Sequence, residues 1–302
     1  MKIAVTGATG FIGQYIVRRL VESGHTCRCW VRESSDRSGL DSVADSVEWI
    51  EGELARGAEA EFVSGCDAVV HSALYHPGGG FMGGEGDLID FATKNIIGSL
   101  QLIQAAREAN VKRFVFVSTC AVHDQILEDR PLDETHPLWA KSHYGAHKAA
   151  IEKFVHSFGL GEGFPICAVR PTGVYGAMQA ITRSKWFPLV KQIVAGKDVR
   201  CERGGKEVHA SDVAKAIEVL LNADEDRIIG EAFSCYDRYV SEYDVATIAK
   251  ELTGSSSQIQ GEPKSPKNQI VTEKIRALGM EFGGESLLRE TIQQLADAAR
   301  KS

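Results

Sequence analysis

The stretch Lys2–Leu20, K-I-A-V-T-G-A-T-G-F-I-G-Q-Y-I-V-R-R-L, decides the fold. It starts as a short apolar run rich in β-branched residues, passes through three glycines, and ends with apolar residues at helical spacing. This order predicts a strand, a tight turn and a helix. Gly7, Gly10 and Gly13 let the chain reverse and bring backbone N–H groups close to a bound phosphate. We interpret the turn as a pyrophosphate site; the alternative is a glycine-rich connection without a ligand.

Length and composition place the chain among globular proteins. Its 302 residues suffice for one large or two modest domains, and 43% hydrophobic with 25% charged residues excludes a disordered chain. A net charge of −7 gives no reason to expect nucleic acid or an anionic membrane as partner. No apolar run approaches the roughly 18 residues that a membrane span needs, and the chain begins directly in a predicted strand.

Seven scattered cysteines form no C-x-x-C pair and no cluster with histidine. We therefore expect no metal site, reduced thiols and a cytoplasmic protein.

Apolar strand patterns alternate with amphipathic helical patterns through the first half of the chain. After the first strand, further strands are predicted at Thr26–Arg32, Val47–Gly52, Asp67–Ala73, Phe114–Ser118 and Ile166–Arg170. Strands separated by helices predict an α/β protein with a doubly wound parallel sheet, the Rossmann fold. Ligands of such sheets bind beyond the carboxyl ends of the strands, so functional residues are expected directly after each strand.

The segment Tyr75–Asp90 contains six glycines and follows one of these strand ends. It is either a flap over the site or a plain surface loop. Tyr75 and Phe81 are its candidate substrate contacts, although aromatic residues are more often part of a core.

Arg32 ends the second predicted strand and follows Val31, which stands where a carboxylate would hold the ribose hydroxyls of NAD. An arginine there can instead pair with the 2′-phosphate of NADP. The sequence therefore favours NADP over NAD, unless Arg32 is only a solvated charge at the strand end.

A tyrosine and a lysine stand four residues apart in Y-G-A-H-K, at Tyr144 and Lys148. This spacing places both on one face of a helix. An ammonium close to a phenol lowers the phenol's pKa, which would let Tyr144 exchange a proton with a substrate oxygen held by Thr119. Such pairs also arise by chance, and the interpretation depends on the dinucleotide turn and the strand-end hydroxyl.

Several ordered motifs resemble the extended short-chain dehydrogenases/reductases, also called the NAD-dependent epimerase/dehydratase family. The motifs are T-G-A-T-G-F-I-G at 6–13, H-S-A at 71–73, N-I-I-G-S at 95–99, S-T-C-A-V at 118–122, Y-G-A-H-K at 144–148, R-P-T-G-V-Y-G at 170–176, S-D-V-A at 211–214 and K-I-R-A-L-G-M at 274–280. The resemblance covers essentially the whole chain. It implies a dinucleotide-binding Rossmann domain over 1–176 and a mainly substrate-binding lobe over 177–302, with some segments returning to the first domain.

The resemblance also implies site residues. Thr119, Tyr144 and Lys148 would be catalytic, and Lys148 would also bind the nicotinamide ribose. The residues that would line the cofactor are Gly7, Gly10, Phe11, Ile12, Gly13, Arg32, Glu53, Leu54, Ala73, Tyr144, Lys148, Pro171, Thr172, Gly173 and Val174. Glu53 stands where the family usually has an aspartate that meets the adenine, so this contact would be longer.

Other positions depart from the family's sugar-nucleotide enzymes. Gly173 stands in place of a common asparagine, and Gly205 stands in place of an arginine that grips the diphosphate. Residues 183–206 nevertheless carry seven basic against two acidic side chains, and Arg200 and Arg203 are candidates to hold an anionic substrate. A basic solvated face explains the same excess. His123 either faces substrate or is a solvated loop residue.

Three functions remain open. The leading one is an oxidoreductase that exchanges a hydride between NADP(H) or NAD(H) and a secondary alcohol or ketone, with sugars or polyols favoured as small-molecule substrates. The second is a nucleotide-sugar epimerase or dehydratase with tightly bound NAD, and the third is a cofactor-binding regulator without turnover. The family resemblance further implies a homodimer formed through the helices predicted at 95–109 and 145–158.

Overall fold

The structure is a computed structural model that describes residues 1–78 and 83–302. Phe81, a candidate substrate contact from the sequence, lies outside the described residues. The strands in the described ranges are β1 (Lys2–Thr6), β2 (Thr26–Val31), β3 (Val47–Glu51), β4 (Ala68–His71), β5 (Arg113–Val117), β6 (Ile166–Pro171), β7 (Gly173–Tyr175), β8 (Val199–Cys201), β9 (Gly204–His209), β10 (Ala232–Cys235), β11 (Arg238–Ser241) and β12 (Ile259–Gly261).

The α-helices of the same ranges are α1 (Phe11–Glu22), α2 (Glu59–Val63), α3 (Leu88–Ala92), α4 (Gly98–Glu108), α5 (His143–His156), α6 (Phe187–Val194), α7 (Ala210–Asn222), α8 (Glu242–Thr253), α9 (Glu273–Arg276) and α10 (Gly284–Ala299). Two π-helical turns follow α3 and α5, at Thr93–Ile97 and Ser157–Gly161. Short 3₁₀ helices cover Ser38–Ser46, Cys120–His123, Ile181–Arg183 and Glu225–Arg227. None of the helices in the described part of the chain is long and apolar enough to cross a membrane.

A seven-stranded sheet forms the centre of the first compact unit. Its strand order is β3-β2-β1-β4-β5-β6-β10, and all neighbouring strands run parallel. The predicted doubly wound parallel sheet is therefore confirmed. The order reverses between β1 and β4, and this is the point where ligands bind in open α/β sheets.

The strands form because their residues are apolar on both faces, as buried parallel strands require. Val5, Val69, Phe114 and Ala168 are completely buried. The α5 residue Ile151 packs into the same core, so the helix that carries Tyr144 and Lys148 is fixed to the sheet by its apolar face.

The chain divides into two compact units. Unit 1 contains Met1–Pro171, Val213–Cys235 and Ile270–Met280, and unit 2 contains Thr172–Asp212, Tyr236–Gln269 and Glu281–Ser302. The first boundary thus follows Pro171, whereas the sequence analysis placed it after residue 176.

Unit 2 has its own three-stranded sheet, in the order β11-β9-β7, and a two-stranded sheet of β12 and β8. Its apolar core is formed by residues of α6, α8 and α10, with Val190, Val245 and Ile292 completely buried.

Candidate active site

The glycine turn between β1 and α1 is shaped by close backbone contacts. Gly7 has a φ of +73°, and a Cβ there would lie 2.8 Å from the backbone nitrogen of Ala73. A Cβ on Gly13 would lie 2.0 Å from the carbonyl oxygen of Gly7. Larger residues would therefore force β1, α1 and the end of β4 apart, which explains why these positions are glycine.

The start of α1 suits a cofactor phosphate. Its N-cap residue, Gly10, provides no side-chain cap, and the first turn contains no acidic residue. The first N–H groups of a helix lack partners within the helix and carry its positive dipole end. Because the turn and the helix end meet at the switch point of the sheet, the residues present fit a dinucleotide pyrophosphate.

A buried series of hydrogen bonds connects Thr6, the last residue of β1, to Asn95. It was not predicted from the sequence. Thr6 Oγ1 accepts from the Ala73 N–H at 3.1 Å and lies 2.7 Å from His71 Nδ1. His71 Nε2 lies 2.8 Å from Ser99 Oγ, which donates to the Asn95 carbonyl oxygen.

Burial, with a smaller effect of Lys148, lowers the pKa of His71 to about 3. The imidazole is therefore neutral at neutral pH. A proton on His71 Nε2 gives every group in this series of hydrogen bonds a partner, because Thr6 then donates to Nδ1 and His71 donates to Ser99. The only signal in the sequence was a histidine at the end of an apolar strand.

The other predicted cofactor residues of unit 1 lie around the ends of β2, β3 and β4. Arg32 is exposed, its backbone N–H donates to Ser35 Oγ at 3.3 Å, and its guanidinium has no hydrogen-bond partner among the described residues. Glu53 is half-buried and pairs with Arg56 at 3.0 Å. Leu54 is buried in the core of unit 1.

Tyr75 is fixed by three neighbours. Its backbone exchanges two hydrogen bonds of 2.8 Å with the Asn95 amide, and the Lys94 ammonium lies 3.7 Å from its ring centroid. Its hydroxyl is hydrogen-bonded to the carboxylate of Asp90. Tyr75 is thus anchored to the segment that leads into α4.

The three predicted catalytic residues meet at the carboxyl end of β5. Lys148 is buried, and its ammonium donates to the carbonyl oxygen of Val117, the last residue of β5, at 2.8 Å. Thr119 lies two residues further on, and its hydroxyl shares a hydrogen bond with the phenol of Tyr144. The Ser142 side chain caps α5 by accepting from the Gly145 N–H at 3.0 Å, which fixes the first turn that carries Tyr144.

The electrostatics of these residues differ from the sequence-based expectation. Burial raises the pKa of Tyr144, and the bond to Thr119 only partly opposes this effect. Burial also lowers the pKa of Lys148 to about 7, against a smaller opposite effect of Glu152. The expected lowering of the phenol's pKa is therefore absent: burial has the largest effect on Tyr144, and Lys148 is not among the groups that shift its pKa.

A buried ion pair lies beside the catalytic residues. Arg170 Nη2 donates to Glu152 Oε2 at 2.5 Å, its Nε donates to both carboxylate oxygens at 3.0 Å, and Ser118 Oγ donates to Glu152 Oε1. Both charged side chains are about 1% exposed. The pair joins the ends of β5 and β6 to α5, one turn after Lys148.

His123 is part of this network and is neither solvated nor open to a substrate. It is buried, its Nε2 lies 3.3 Å from Arg170 Nη1, and its Nδ1 lies 3.2 Å from the Pro137 carbonyl oxygen. Because arginine can only donate, His123 accepts at Nε2 and carries its proton on Nδ1. Burial and the neighbouring Arg170 lower its pKa to about 4, so it is neutral.

The remaining candidates belong mostly to unit 2. Pro171 ends β6, while Thr172, Gly173 and Val174 begin unit 2. Arg200 is exposed and pairs with Glu202 at 2.6 Å.

Arg203 is also exposed, and its backbone is held by Glu242. The Arg200–Glu202 ion pair lies on the surface and contributes little to stability. The described residues contain no group of three histidine, cysteine or acidic side chains that could hold a metal ion.

Comparisons with known proteins identify the family. The model for the NAD dependent epimerase/dehydratase family matches residues 3–235. The 4-hydroxy-2-methyl-3-oxo-4-farnesyl-3,4-dihydroquinoline-1-oxide ketoreductase of Stigmatella aurantiaca is 30% identical over 244 residues, which are 78% of this chain and 68% of that protein.

Two further proteins show how widely this similarity extends. A trifunctional UDP-glucose 4,6-dehydratase/UDP-4-keto-6-deoxy-D-glucose 3,5-epimerase/UDP-4-keto-L-rhamnose-reductase of Arabidopsis thaliana is 27% identical over 317 residues. This alignment covers 96% of this chain but only 46% of the plant protein. The structure of the UDP-glucose 4-epimerase of Thermus thermophilus in complex with NAD has the same fold, with a TM-score of 0.77, 24% identity and both chains fully covered. Because the family model matches most of the residues, the chain belongs to the NAD-dependent epimerase/dehydratase family, a family of nicotinamide-dependent enzymes of the extended short-chain dehydrogenase/reductase class.

Proposed function

We propose that this enzyme transfers a hydride between a nicotinamide cofactor and a secondary alcohol or ketone, and that it works chiefly as a reductase. One observation carries the proposal: the hydrogen-bonded pair of Thr119 and Tyr144 lies at the end of β5, where Lys148 is anchored to Val117. The 30% identity to a ketoreductase supports the same reaction class.

Each residue has a distinct task in this mechanism. The Thr119 hydroxyl holds the substrate oxygen, and the Tyr144 phenol gives that oxygen its proton as the carbonyl is reduced. When bound, the nicotinamide supplies the hydride. Lys148, whose pKa is about 7 in the cofactor-free protein, binds the ribose of the cofactor.

The raised pKa of Tyr144 supports the direction of reduction. At neutral pH the phenol keeps its proton, so it is ready to donate to a carbonyl oxygen. Oxidation of an alcohol needs the phenolate instead, which burial disfavours. Alcohol oxidation is therefore expected to need a higher pH than ketone reduction.

For the cofactor, we propose that NADP is favoured over NAD. The Arg32 guanidinium is exposed directly after β2 and has no side-chain partner among the described residues, which suits a 2′-phosphate. The Thermus relative was solved with NAD. A comparison of NADPH and NADH affinity for the wild-type protein tests the preference directly.

A second function is favoured by the Arabidopsis relative, whose name describes UDP-sugar dehydration and epimerisation. In that case the cofactor would stay bound and no net redox change would occur. A regulator without turnover would leave the arrangement of Thr119, Tyr144 and Lys148 without a use, so it ranks last.

Absorbance at 340 nm distinguishes the three functions. A reductase is expected to be purified without cofactor, to bind NADPH, and to oxidise it when a suitable ketone is added. Purified protein that carries NAD and converts UDP-sugars without net change at 340 nm would replace the first proposal with the second. Binding of NADPH without turnover of either class would favour the regulator.

We further propose that the enzyme is a homodimer. Ile97 is 48% exposed before α4, and Phe154 on α5 is 39% exposed. α4 and α5 contact each other in unit 1, so these apolar side chains lie on the helices predicted for the interface. Covering them with a second copy would remove apolar surface from water.

A further inference from the structure

The imidazole of His71 lies between two hydroxyl groups inside unit 1. His71 is completely buried at the end of β4, with Thr6 Oγ1 2.7 Å from its Nδ1 and Ser99 Oγ 2.8 Å from its Nε2. Both hydroxyl-bearing residues are buried as well. Because the proposed mechanism does not use His71 and no part of its ring is exposed, it can act on a ligand only through its neighbours.

Thr6 is the neighbour that reaches the cofactor turn. It is the last residue of β1 and directly precedes Gly7. Its Oγ1 accepts from the Ala73 N–H at 3.1 Å, and its carbonyl oxygen accepts from both the N–H and the hydroxyl of Ser72. Three hydrogen bonds thus join the end of β1 to the two residues that follow β4.

The backbone of Ala73 limits the space of the glycine turn. Gly7 lies so close to it that a Cβ on Gly7 would be 2.8 Å from the Ala73 nitrogen. The Gly7 carbonyl oxygen accepts from the Gly10 N–H at 3.0 Å, and a Cβ on Gly13 would lie 2.0 Å from the same oxygen. Close-packed groups transmit small displacements, so a shift of Ala73 would also move the N–H groups at the start of α1.

The tautomer of His71 decides whether Thr6 can hold Ala73. A threonine hydroxyl has one proton, and with the His71 proton on Nε2 that hydroxyl donates to Nδ1 and keeps a lone pair for the Ala73 N–H. Ser99 favours this tautomer, because its hydroxyl donates to the Asn95 carbonyl oxygen and offers Nε2 an acceptor. Burial lowers the pKa of His71 to about 3, so the ring stays neutral and Nδ1 stays an acceptor at neutral pH.

We propose that His71 is a positioning residue for the nicotinamide cofactor: acting through Thr6, it fixes Ala73 against Gly7 and so keeps the glycine turn in the shape that receives the pyrophosphate. A site that already has its binding shape binds more tightly, because less ordering is needed when the ligand arrives. The proposal goes beyond the reductase function, since a reductase and an epimerase of this family both bind the cofactor.

Cofactor affinity measures this effect. Isothermal titration calorimetry would use cofactor-free protein and either NADPH or NADH, whichever the wild type binds more tightly. His71→Leu removes the acceptor for the Thr6 hydroxyl, and its Kd should be about tenfold higher, as expected for the loss of one buried hydrogen bond. His71→Asn supplies an amide oxygen as a replacement acceptor and should bind the cofactor as the wild type does.

A double variant tests whether His71 acts through Thr6. Thr6→Val keeps the shape of the side chain and should raise the Kd by a similar factor, whereas Thr6→Ser keeps the hydroxyl and should not. In His71→Leu/Thr6→Val the two losses should not add, because both substitutions break the same link. Val155→Ala makes a cavity on α5 in the core of unit 1 and controls for destabilisation alone, so its Kd should equal that of the wild type. Circular dichroism checks that each variant is folded.

Nitrogen-15 NMR of the wild type tests the tautomer without any change in the pair. Protonated and unprotonated ring nitrogens differ in chemical shift, and the His71 signals are identified by their absence in His71→Asn. We expect a proton on Nε2 and none on Nδ1. A proton on Nδ1 would overturn the proposal.

A wild-type Kd in folded His71→Leu would also overturn it, as would equal losses in His71→Leu and His71→Asn, equal losses in His71→Leu and Val155→Ala, or additive losses in the double variant. Wild-type protein that binds neither cofactor would overturn it too. None of these measurements needs turnover, so a lack of ketone reduction would refute the reductase function and leave this result unaffected.

Discussion

Lys148 is a buried cation, and its replacement by methionine should change how the stability of the cofactor-free protein depends on pH. The fold lowers the pKa of Lys148 from 10.5 to about 7, chiefly by burial. As pH falls below about 10.5, the unfolded chain takes up this proton first, whereas the folded protein takes it up only near pH 7. Stability contributed by this residue is therefore lost as pH falls between these two values.

The magnitude follows from the two pKa values. Each pKa unit corresponds to about 1.4 kcal/mol, so lowering the pH from about 9 to about 7 should cost the wild type about 2 kcal/mol through Lys148. Lys148→Met cannot take up the proton and should not lose this stability. The change with pH is a cleaner quantity than the absolute stability, because the substitution also leaves the Val117 carbonyl oxygen without its donor.

Urea denaturation of wild type and Lys148→Met, monitored by circular dichroism at about pH 9 and about pH 7, measures this difference. Lys153→Met is the matched control, since Lys153 is exposed on the same helix. The free energy of unfolding of Lys148→Met relative to wild type should rise by about 2 kcal/mol at the lower pH. If the free energy of unfolding changes equally between the two pH values in wild type, Lys148→Met and Lys153→Met, Lys148 is not a buried group with a lowered pKa.

Three further substitutions test other parts of the account. Arg32→Glu should weaken NADPH binding by about 1 to 3 kcal/mol, measured by fluorescence titration, because it replaces an attractive charge with a repulsive one, and NADH binding should change far less. Thr119→Val should lower kcat by raising its activation free energy by about 2 to 4 kcal/mol. It should also raise the pKa of Tyr144 further in the pH–rate profile, since the bond to Thr119 lowers that pKa. Ile97→Glu should convert a dimer into monomers in light scattering, because it places a charge in an apolar contact.

Each of these expectations has a clear opposite. Equal losses of NADPH and NADH affinity would show that Arg32 does not contact the 2′-phosphate. An unchanged pH–rate profile in Thr119→Val would separate Thr119 from Tyr144. Wild-type protein that is monomeric at micromolar concentration would refute the proposed homodimer, independently of the result for Ile97→Glu.

Local patterns were sufficient to predict the fold. The β1 turn and the alternation of strands with helices are encoded in short-range periodicity, so the parallel sheet could be predicted from the sequence. The bounds of β2 and β5 differ from the prediction by a single residue at each affected end.

The charge states of the site could not be predicted in this way. The pKa of Tyr144 depends on how far its phenol is removed from water, and burial is a property of the assembled core. His123 is placed by Arg170, which is 47 residues away in the chain. Its proton and its partner become apparent only when β6 lies beside β5.

The surroundings of the buried residue Glu207 on β9 depend likewise on strand register. Gly173 and Gly205 were noted in the sequence as positions without a side chain, but nothing in the sequence indicates what fills the space beside them. The pairing of β7 with β9 places Glu207 there. A shift of that register by one residue would turn the side chain to the opposite face of the sheet.

Tyr144→Phe tests the central claim most directly, because it retains the ring and removes only the proton that the mechanism passes to the substrate oxygen. With a ketone that the wild type reduces, kcat should fall roughly 10² to 10⁴-fold, while the Kd for NADPH and the thermal stability stay close to those of the wild type. Retention of most of the wild-type kcat by folded, NADPH-binding Tyr144→Phe would contradict the assignment of Tyr144 as the proton donor.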